Sequence, residues 1–172
     1  MAVLRPATPD DAAAVCALIL DLADYERLRD EARTTPEAIR RALDPAPGTP
    51  RLDVLLAFPD GTPPGAPGEA AVGFALFFPV FSTFRAAWGL YLEDLFVRPE
   101  HRGTGVGIAL LRAVAQEAVR RGAGRLDWVV LDWNRPAIDF YRRLGAVPMD
   151  DWTGMRLTGD ALQTLGADPA GG

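Results

Sequence analysis

The strongest constraint on the fold is a stretch in which an apolar strand, a glycine-rich turn and an apolar helix follow one another without a break. The strand is predicted over Leu90–Val97, the turn runs from Arg102 to Gly107, and the helix is predicted to end at Arg120-Arg-Gly122. The first amides of a helix have no intrahelical acceptor, and the helix dipole adds positive charge at the same end. The sequence therefore predicts that the backbone amides of this turn bind an anion such as a diphosphate.

The spacing of the turn excludes two common phosphate motifs. A P-loop requires Gly-Lys-Ser/Thr, but all 18 cationic residues of this chain are arginines. A dinucleotide fingerprint requires a third glycine where Ile108 stands. The pattern that remains is Arg-x-x-Gly-x-Gly, formed by Arg102, Gly105 and Gly107. A turn that only joins a strand to a helix stays an alternative at this point.

Length and composition predict one globular domain. A chain of 172 residues, 49% hydrophobic and 24% charged, is typical of a single folded unit, so we expect one domain over residues 1–172 with a frayed tail at 167–172. The single cysteine, Cys16, permits no internal disulfide, which suits a reducing compartment. One cysteine and one histidine, His101, cannot build a zinc site, so we expect no metal.

Charge and hydropathy exclude two further classes of partner. The net charge of -5 is unlike that of a nucleic-acid-binding protein, and it favours cationic substrates. The longest apolar run, residues 70–81, is too short to span a bilayer and contains Gly73 and Pro79. The N-terminal residues lack a basic region followed by an apolar core. We therefore expect no nucleic acid, no membrane and a cytoplasmic location.

Capping and periodicity predict the remaining elements. Thr8-Pro and Thr35-Pro begin two helices, one ending near Tyr25-Glu26 and one near Leu43, and Asn134 begins a third that Gly145 ends. Further strands are predicted at residues 2–5, 52–58, 71–78, 126–131 and 155–157. Because the early strands follow one another through loops, the sequence predicts an α/β fold with a mixed, mostly antiparallel sheet.

Five segments, in order and covering nearly the whole chain, resemble the GNAT (general-control N-acetyltransferase) superfamily, and most closely its diamine and thialysine acetyltransferase branch. They are Arg5-Pro-Ala-Thr8 with Leu22-Ala-Asp-Tyr-Glu26, Val72-Gly-Phe-Ala75, Tyr91–Val97, Arg102–Gly107, and Trp133-Asn-Arg-Pro-Ala-Ile-Asp-Phe-Tyr-Arg-Arg-Leu-Gly-Ala146. The resemblance implies a GNAT fold with helices on both faces of the central sheet. It also implies a splayed strand pair that holds acetyl-CoA.

The resemblance also implies catalytic roles for two residues. Glu93 is expected to accept the proton of the amine, directly or through water, and Tyr141 to act as the general acid towards the coenzyme A thiolate. Strand alternation places Glu93 with Tyr91 and Leu95, and Asp94 on the other face with Leu92 and Phe96. We therefore expect Asp94 to be structural. Taken from residue types alone, Glu93 could equally be a structural carboxylate and Tyr141 a packing residue.

The residues that the resemblance implies for binding fall into two groups. Those for the cofactor are the strand residues Leu95, Phe96 and Val97, the turn residues Arg102, Gly103, Thr104, Gly105, Val106 and Gly107, and Asn134, whose alternative role is that of a plain N-cap. Those for the amine are Tyr25, Glu26, Ser82 and Asp151. Ser82 and Phe84 stand where polyamine enzymes carry an acid and a tryptophan, which favours a thialysine-like amine over spermidine.

The leading hypothesis is therefore an enzyme that transfers acetyl from acetyl-CoA to a primary amine of a small molecule (a polyamine, a diamine or a thialysine-like compound) by direct attack in a ternary complex. Two alternatives stay open: an acetyltransferase acting on a protein or antibiotic amine, and a module that binds acyl-CoA without turnover. The resemblance also implies a homodimer.

Overall fold

The computed structural model describes residues 2–63 and 65–167, and these form two compact units with a boundary between Val129 and Val130. The interpretation of residues 1–172 as one domain stays a prediction. Apart from Ala167, the predicted tail lies outside the described residues.

The first unit contains a five-stranded sheet whose spatial order follows the chain. Its strands are β1 (Val3–Pro6), β2 (Asp53–Phe58), β3 (Gly73–Ser82), β4 (Ala87–Val97) and β5 (Leu126–Asp127). Neighbouring strands pair antiparallel from β1 to β4, and β4 pairs parallel with β5. The prediction of a mixed, mostly antiparallel sheet is confirmed.

Three helices of this unit follow the start signals that the sequence contains: Thr8-Pro, Thr35-Pro and the glycine-rich turn. They are α1 (Ala12–Glu26), which follows a single 3-10 turn at Pro9–Asp11, α2 (Pro36–Leu43) and α3 (Val106–Arg120). The Thr35 hydroxyl accepts a hydrogen bond from the Ala38 amide at 3.2 Å, satisfying one amide at the start of α2. Helix α1 ends at Glu26 because Arg27 adopts the left-handed conformation, with φ of 63°.

The helices cover both faces of the sheet, as the sequence predicts. One face packs against α1 and α2 in a buried cluster that includes Val15, Leu18, Leu22, Ile39, Leu43, Leu56, Phe74 and Phe96. Helix α3 contacts β2, β3 and β4 and buries Leu110 and Val114 on the opposite face. Burying a side chain of this size stabilises the fold by about 1.5–3 kcal/mol, so both faces are required for stability.

A β-bulge interrupts β4 at Glu93. Asp94 pairs with Leu76 and Leu92 pairs with Phe77, so Glu93 has no partner residue on β3. Directly paired residues share a face, which places Asp94 with Leu76 and Phe96 on the α1 face and Leu92 on the α3 face. The expectation that Asp94 and Leu92 share a face is therefore wrong, because the extra residue reverses the alternation.

Strand β5 is shorter than the predicted 126–131. Its ladder joins only Leu90 to Leu126 and Tyr91 to Asp127 within the described residues. The pairing ends at Tyr91, two residues before the unpaired Glu93, and a bulge generally bends the strand that contains it. As a result, the edge of β4 from Leu92 to Val97 has no partner strand among the described residues, and it forms a free edge of the sheet.

The second unit contains α4 (Arg135–Arg143) and α5 (Gly159–Gly166). The Asn134 side chain accepts from the Ala137 amide at 3.4 Å, and Gly145, with φ of 90°, follows the end of α4. The predicted strand at 155–157 is wrong, because these residues have no strand conformation and Met155 is 89% exposed. Three residues are too few for alternation to distinguish a strand from an extended loop.

Candidate functional site

The turn before α3 presents a run of backbone amides without backbone acceptors. The Arg102 amide donates to the Pro99 carbonyl at 3.2 Å, and the first α3 bond runs from the Ala109 amide to the Gly105 carbonyl at 3.0 Å. Between these two bonds, no carbonyl of the described residues accepts from the amides of 103–108. The expectation of free amides from Arg102 onwards is thus wrong for Arg102, whose amide closes a 3-10 turn. The six that follow are available for an anion.

Two glycines give this turn its shape. Gly103 and Gly105 have φ of 76° and 90°, the left-handed region that side-chain-bearing residues rarely adopt. Gly105 is the N-cap of α3 and supplies no capping side chain, so the amides at the helix end keep their positive potential. These features make the turn suitable for a diphosphate group.

The free edge of β4 leads towards this turn. The Arg98 amide donates to the Val72 carbonyl of the neighbouring segment at 2.9 Å. Because backbone groups alternate along a strand, Leu95 and Val97 direct theirs away from β3, and Phe96 directs its groups towards β3. The backbone groups of Leu95 and the amide of Val97 can therefore bind an extended ligand arm at the free edge, while the Val97 carbonyl already accepts a hydrogen bond from Arg102 Nε.

Two arginines attach the turn to α1. The Arg98 Nε donates to Asp21 Oδ2 at 3.0 Å, and its guanidinium also donates to the Ala71 carbonyl at 3.2 Å. The Arg102 Nε donates to the Val97 carbonyl at 2.9 Å, and its guanidinium lies 4.2 Å from the Tyr25 ring centroid. The role of Arg98 is absent from the sequence prediction, since its partner Asp21 is 77 residues away.

Three carboxylates meet at the bulge and the end of α1. Desolvation, together with the negative charges of Glu93 and Glu26, raises the pKa of Asp94 to about 7. Burial also raises the pKa of Glu26. Glu93 is exposed, whereas Asp94 is half-buried. The sequence interpretation gives Asp94 a structural role, but its position in this cluster makes it a candidate for binding a cation.

Ser82 lies at the other end of β3, where it pairs with Ala87 beside the hairpin turn. At the usual rise per residue this is about 20 Å along the strand from Asp94. Its buried hydroxyl accepts hydrogen bonds from the Arg85 amide at 3.4 Å and the Arg125 guanidinium at 3.3 Å. The structure does not bring Ser82 to the carboxylate cluster within this unit, and its role in substrate binding stays a prediction.

Three of the predicted site residues belong to the second unit. Asn134 is buried and caps α4, and Tyr141 lies in the last turn of that helix with its ring centroid 5.3 Å from that of Phe140. Asp151 is exposed. The capping role of Asn134 is therefore observed, while a cofactor role for Asn134, the acid role of Tyr141 and the substrate role of Asp151 stay predictions.

Within the described residues, no group of three or more His, Cys, Asp or Glu side chains is arranged to hold a metal ion. No helix among residues 2–63 and 65–167 is both long enough and apolar enough to cross a membrane. The chemical groups that the first unit does place together are unpaired amides for an anion and carboxylates for a cation.

An amide-lined turn at a helix start, beside a strand edge that has no partner strand among the described residues, agrees with the acetyltransferase class that the sequence motifs indicate. The family model described as the acetyltransferase (GNAT) family matches residues 24–146 of this chain. The chain belongs to this family and is an acetyltransferase.

Two relatives illustrate the similarity in sequence. The thialysine N-epsilon-acetyltransferase of Bos taurus is 35% identical over 165 residues, covering 94% of this chain and 95% of the bovine protein. An L-ornithine N5-acetyltransferase of Arabidopsis thaliana is 42% identical over 135 residues, covering 77% of this chain but only 59% of the plant protein. These relatives match the branch that the sequence motifs indicate.

Solved structures confirm the fold. An integron cassette protein from the mobile metagenome of V. cholerae superposes with a TM-score of 0.77 at 22% identity, covering 97% of this chain and 98% of its own. A ribosomal-protein-alanine N-acetyltransferase from Brucella melitensis superposes with a TM-score of 0.69 at 18% identity, covering 92% and 99%. At these identities the likeness concerns the fold alone.

Proposed function

We propose that this chain transfers an acetyl group from acetyl-CoA to a primary amine of a small molecule, namely a polyamine, a diamine or a thialysine-like amino acid. The observation that carries the proposal is the carboxylate cluster formed by Glu93 and Asp94, on the strand that leads to the amide-lined turn, with Glu26 at the end of α1. The names of the bovine and plant relatives, which refer to thialysine and ornithine, support an amino acid with a side-chain amine.

Binding of acetyl-CoA is assigned to the turn and the free edge of β4. The amides of 103–108 would hold the diphosphate, and the backbone groups of Leu95 and the amide of Val97 would pair with the pantetheine arm. Phe96 and Thr104 contribute less directly, since the Phe96 side chain is buried in the core and the Thr104 hydroxyl donates to the His101 carbonyl at 2.7 Å.

Binding of the amine is assigned to Glu26 and Asp94. A primary ammonium with a pKa near 10.4 is charged at neutral pH, and it stabilises the ionised form of a half-buried carboxylate. Asp94, whose pKa is raised to about 7, would therefore lose its proton as the ammonium binds. This arrangement selects cationic substrates, in agreement with the net charge of -5.

Proton transfer is assigned to Glu93 and Tyr141. Exposed at the bulge, Glu93 would accept the ammonium proton through water, leaving the neutral amine to attack the thioester carbonyl. The C–N bond forms as the C–S bond breaks, and Tyr141 would hydrogen bond the departing sulfur. A phenol of pKa about 10 gives its proton to a thiolate of pKa about 8.5 only at a cost of about 2 kcal/mol, so hydrogen bonding is its main contribution.

Direct attack is favoured over an acyl-enzyme because the one cysteine is inaccessible. Cys16 is 4% exposed and belongs to the core between α1 and the sheet. Initial rates at varied concentrations of both substrates should therefore give intersecting double-reciprocal lines. Parallel lines, the pattern of a ping-pong mechanism, would contradict direct attack.

The test of the proposed function is thiol release from acetyl-CoA across an amine panel of thialysine, ornithine, polyamines, peptides and aminoglycosides. We expect thiol release with the small amines. Asp94→Asn should raise the KM for the amine, whereas the control Glu37→Gln, at an exposed position on α2, should leave this KM unchanged. Coenzyme A binding without release on any amine would instead identify a non-catalytic module. Release confined to peptides or aminoglycosides would identify the other substrate classes.

Two further properties are proposed on the same basis. We propose a homodimer, implied by the motifs shared with the GNAT family, and a cytoplasmic location, which the single cysteine favours. Light scattering coupled to size-exclusion chromatography tests the first, because a mass near the 18.5 kDa of one chain would contradict it.

A further inference from the structure

The side chain of Arg102 lies against the last turn of α1. Its guanidinium carbon is 4.2 Å from the centroid of the Tyr25 ring and 5.7 Å from that of Phe96. Its Nε donates to the Val97 carbonyl at 2.9 Å. A cation within about 6 Å of an aromatic ring face is attracted to it. One side chain therefore joins the turn, the free edge of β4 and the end of α1.

The end of α1 is a segment that such a contact would stabilise. Its closing hydrogen bonds run from the Arg27 amide to the Asp24 carbonyl at 3.2 Å and from the Leu28 amide to the Ala23 carbonyl at 2.8 Å. Helix ends open more readily than helix interiors. A cation at the carboxyl end of a helix also interacts favourably with the helix dipole. The Arg102 guanidinium supplies this charge and packs on the ring of Tyr25.

We propose that Arg102 is a positioning residue for the amine site: through Tyr25 it holds the last turn of α1, and with it Glu26, in place beside Asp94. This inference rests on the proposed function of Glu26 in amine binding. It gives the Arg102 side chain a role separate from contact with the diphosphate, which the backbone amides after it provide.

The same contact links the two substrates. Acetyl-CoA bound to the amides of 103–108 would restrain the backbone at the neighbouring residue, Arg102. The Arg102 side chain would in turn restrain Tyr25. Coupling between two binding sites is reciprocal, so bound amine should tighten acetyl-CoA binding by the same factor. The strength of an exposed cation–π contact corresponds to a factor of about two to five.

The first test is amide hydrogen exchange in the ligand-free protein, which does not depend on turnover. Arg102→Met keeps the length and apolar character of the side chain but removes its charge and its donor. We expect the Arg27 and Leu28 amides to exchange about two to five times faster in this variant. Arg112→Met, at an exposed position on α3, is the matched control and should leave both rates unchanged. Equal rates in Arg102→Met and the unaltered protein would overturn the proposal.

The second test is a double-mutant cycle on the amine KM at saturating acetyl-CoA. Arg102→Met should raise this KM about two- to fivefold with kcat unchanged, and it should have no further effect in the Tyr25→Leu background. Arg102→Lys, which restores the charge, should recover part of the loss. Additive effects of the two substitutions would overturn the proposal. If no amine is acetylated by the unaltered protein, the proposed function fails, and the exchange experiment still decides whether Arg102 holds the end of α1.

Discussion

Gly105 offers the sharpest perturbation of the amide-lined turn. Its φ of 90° lies in the left-handed region, and no atom lies within 4 Å of the position that a Cβ would take. Gly105→Ala therefore introduces backbone strain without a steric clash. An L-residue in this region costs about 1–2 kcal/mol relative to the favoured region. For a chain of 172 residues this corresponds to a decrease in Tm of about 2–8 °C.

The strain should also weaken cofactor binding. If the turn relaxes by moving φ out of the left-handed region, the amides that follow Gly105 turn away from the ligand. Restoring the original turn on binding then costs the same 1–2 kcal/mol. This cost raises the dissociation constant of acetyl-CoA about five- to thirtyfold. Isothermal titration calorimetry measures this dissociation constant, and thermal denaturation measures the accompanying loss of stability.

Gly122 provides the matched control at the other end of α3. It has φ of 68° and, like Gly105, no atom within 4 Å of its Cβ position, so Gly122→Ala introduces comparable strain. We expect a similar decrease in Tm with unchanged acetyl-CoA affinity. Equal affinities in Gly105→Ala and Gly122→Ala would refute the assignment of the turn as the diphosphate site.

Three further predictions concern carboxylates and the tyrosine. Because the pKa of Asp94 is raised to about 7, the native state binds its proton more tightly than the unfolded chain. Unfolding free energy should therefore fall as pH rises from about 4 to about 7, and Asp94→Asn should remove that slope in urea titrations. The Arg5 guanidinium lowers the pKa of buried Asp11 to about 2. Asp11→Asn should therefore lower the unfolding free energy by about 2 kcal/mol above pH 4, and this loss should shrink towards pH 2. A loss that does not change with pH would contradict this origin. Tyr141→Phe should keep acetyl-CoA affinity and lower kcat about ten- to hundredfold, and an unchanged kcat would remove Tyr141 from the mechanism.

Helix positions could be predicted from the sequence because their signals are local. Thr35 and Asn134 place a side-chain acceptor three residues before an amide that needs one, and both caps are observed. The glycine-rich turn is equally local, since Gly105 is followed directly by the apolar residues of α3. The turn and the helices α1 to α4 therefore follow from short stretches of chain, whereas α5 (Gly159–Gly166) is absent from the sequence prediction.

The carboxylate cluster could not be predicted because it depends on a β-bulge. Alternation along β4 assigns Asp94 to the face of Leu92, and a single unpaired residue, Glu93, moves it to the face of α1. Which residue of a strand is left unpaired depends on its register with the neighbouring strand, which is a property of two distant segments. The contact between Arg98 and Asp21 depends in the same way on tertiary packing.

Predicted strands near the end of the chain were the least accurate. Apolar residues at 126–131 indicate a full strand, but the ladder of β5 ends at Asp127, close to the position where the bulge interrupts its partner β4. Strand formation requires hydrogen bonds to a neighbour, so the length of a strand is set by where its partner turns away. Composition alone contains no information on this point.

The central claim is that the amides after Arg102 bind the diphosphate of acetyl-CoA. The most direct measurement is a titration of ¹⁵N-labelled protein with coenzyme A, in which amide resonances report contact residue by residue. The account predicts that the largest chemical-shift changes fall on the amides of 103–108, which have no backbone acceptor in the described structure. Saturable binding that leaves these six resonances unmoved would contradict it.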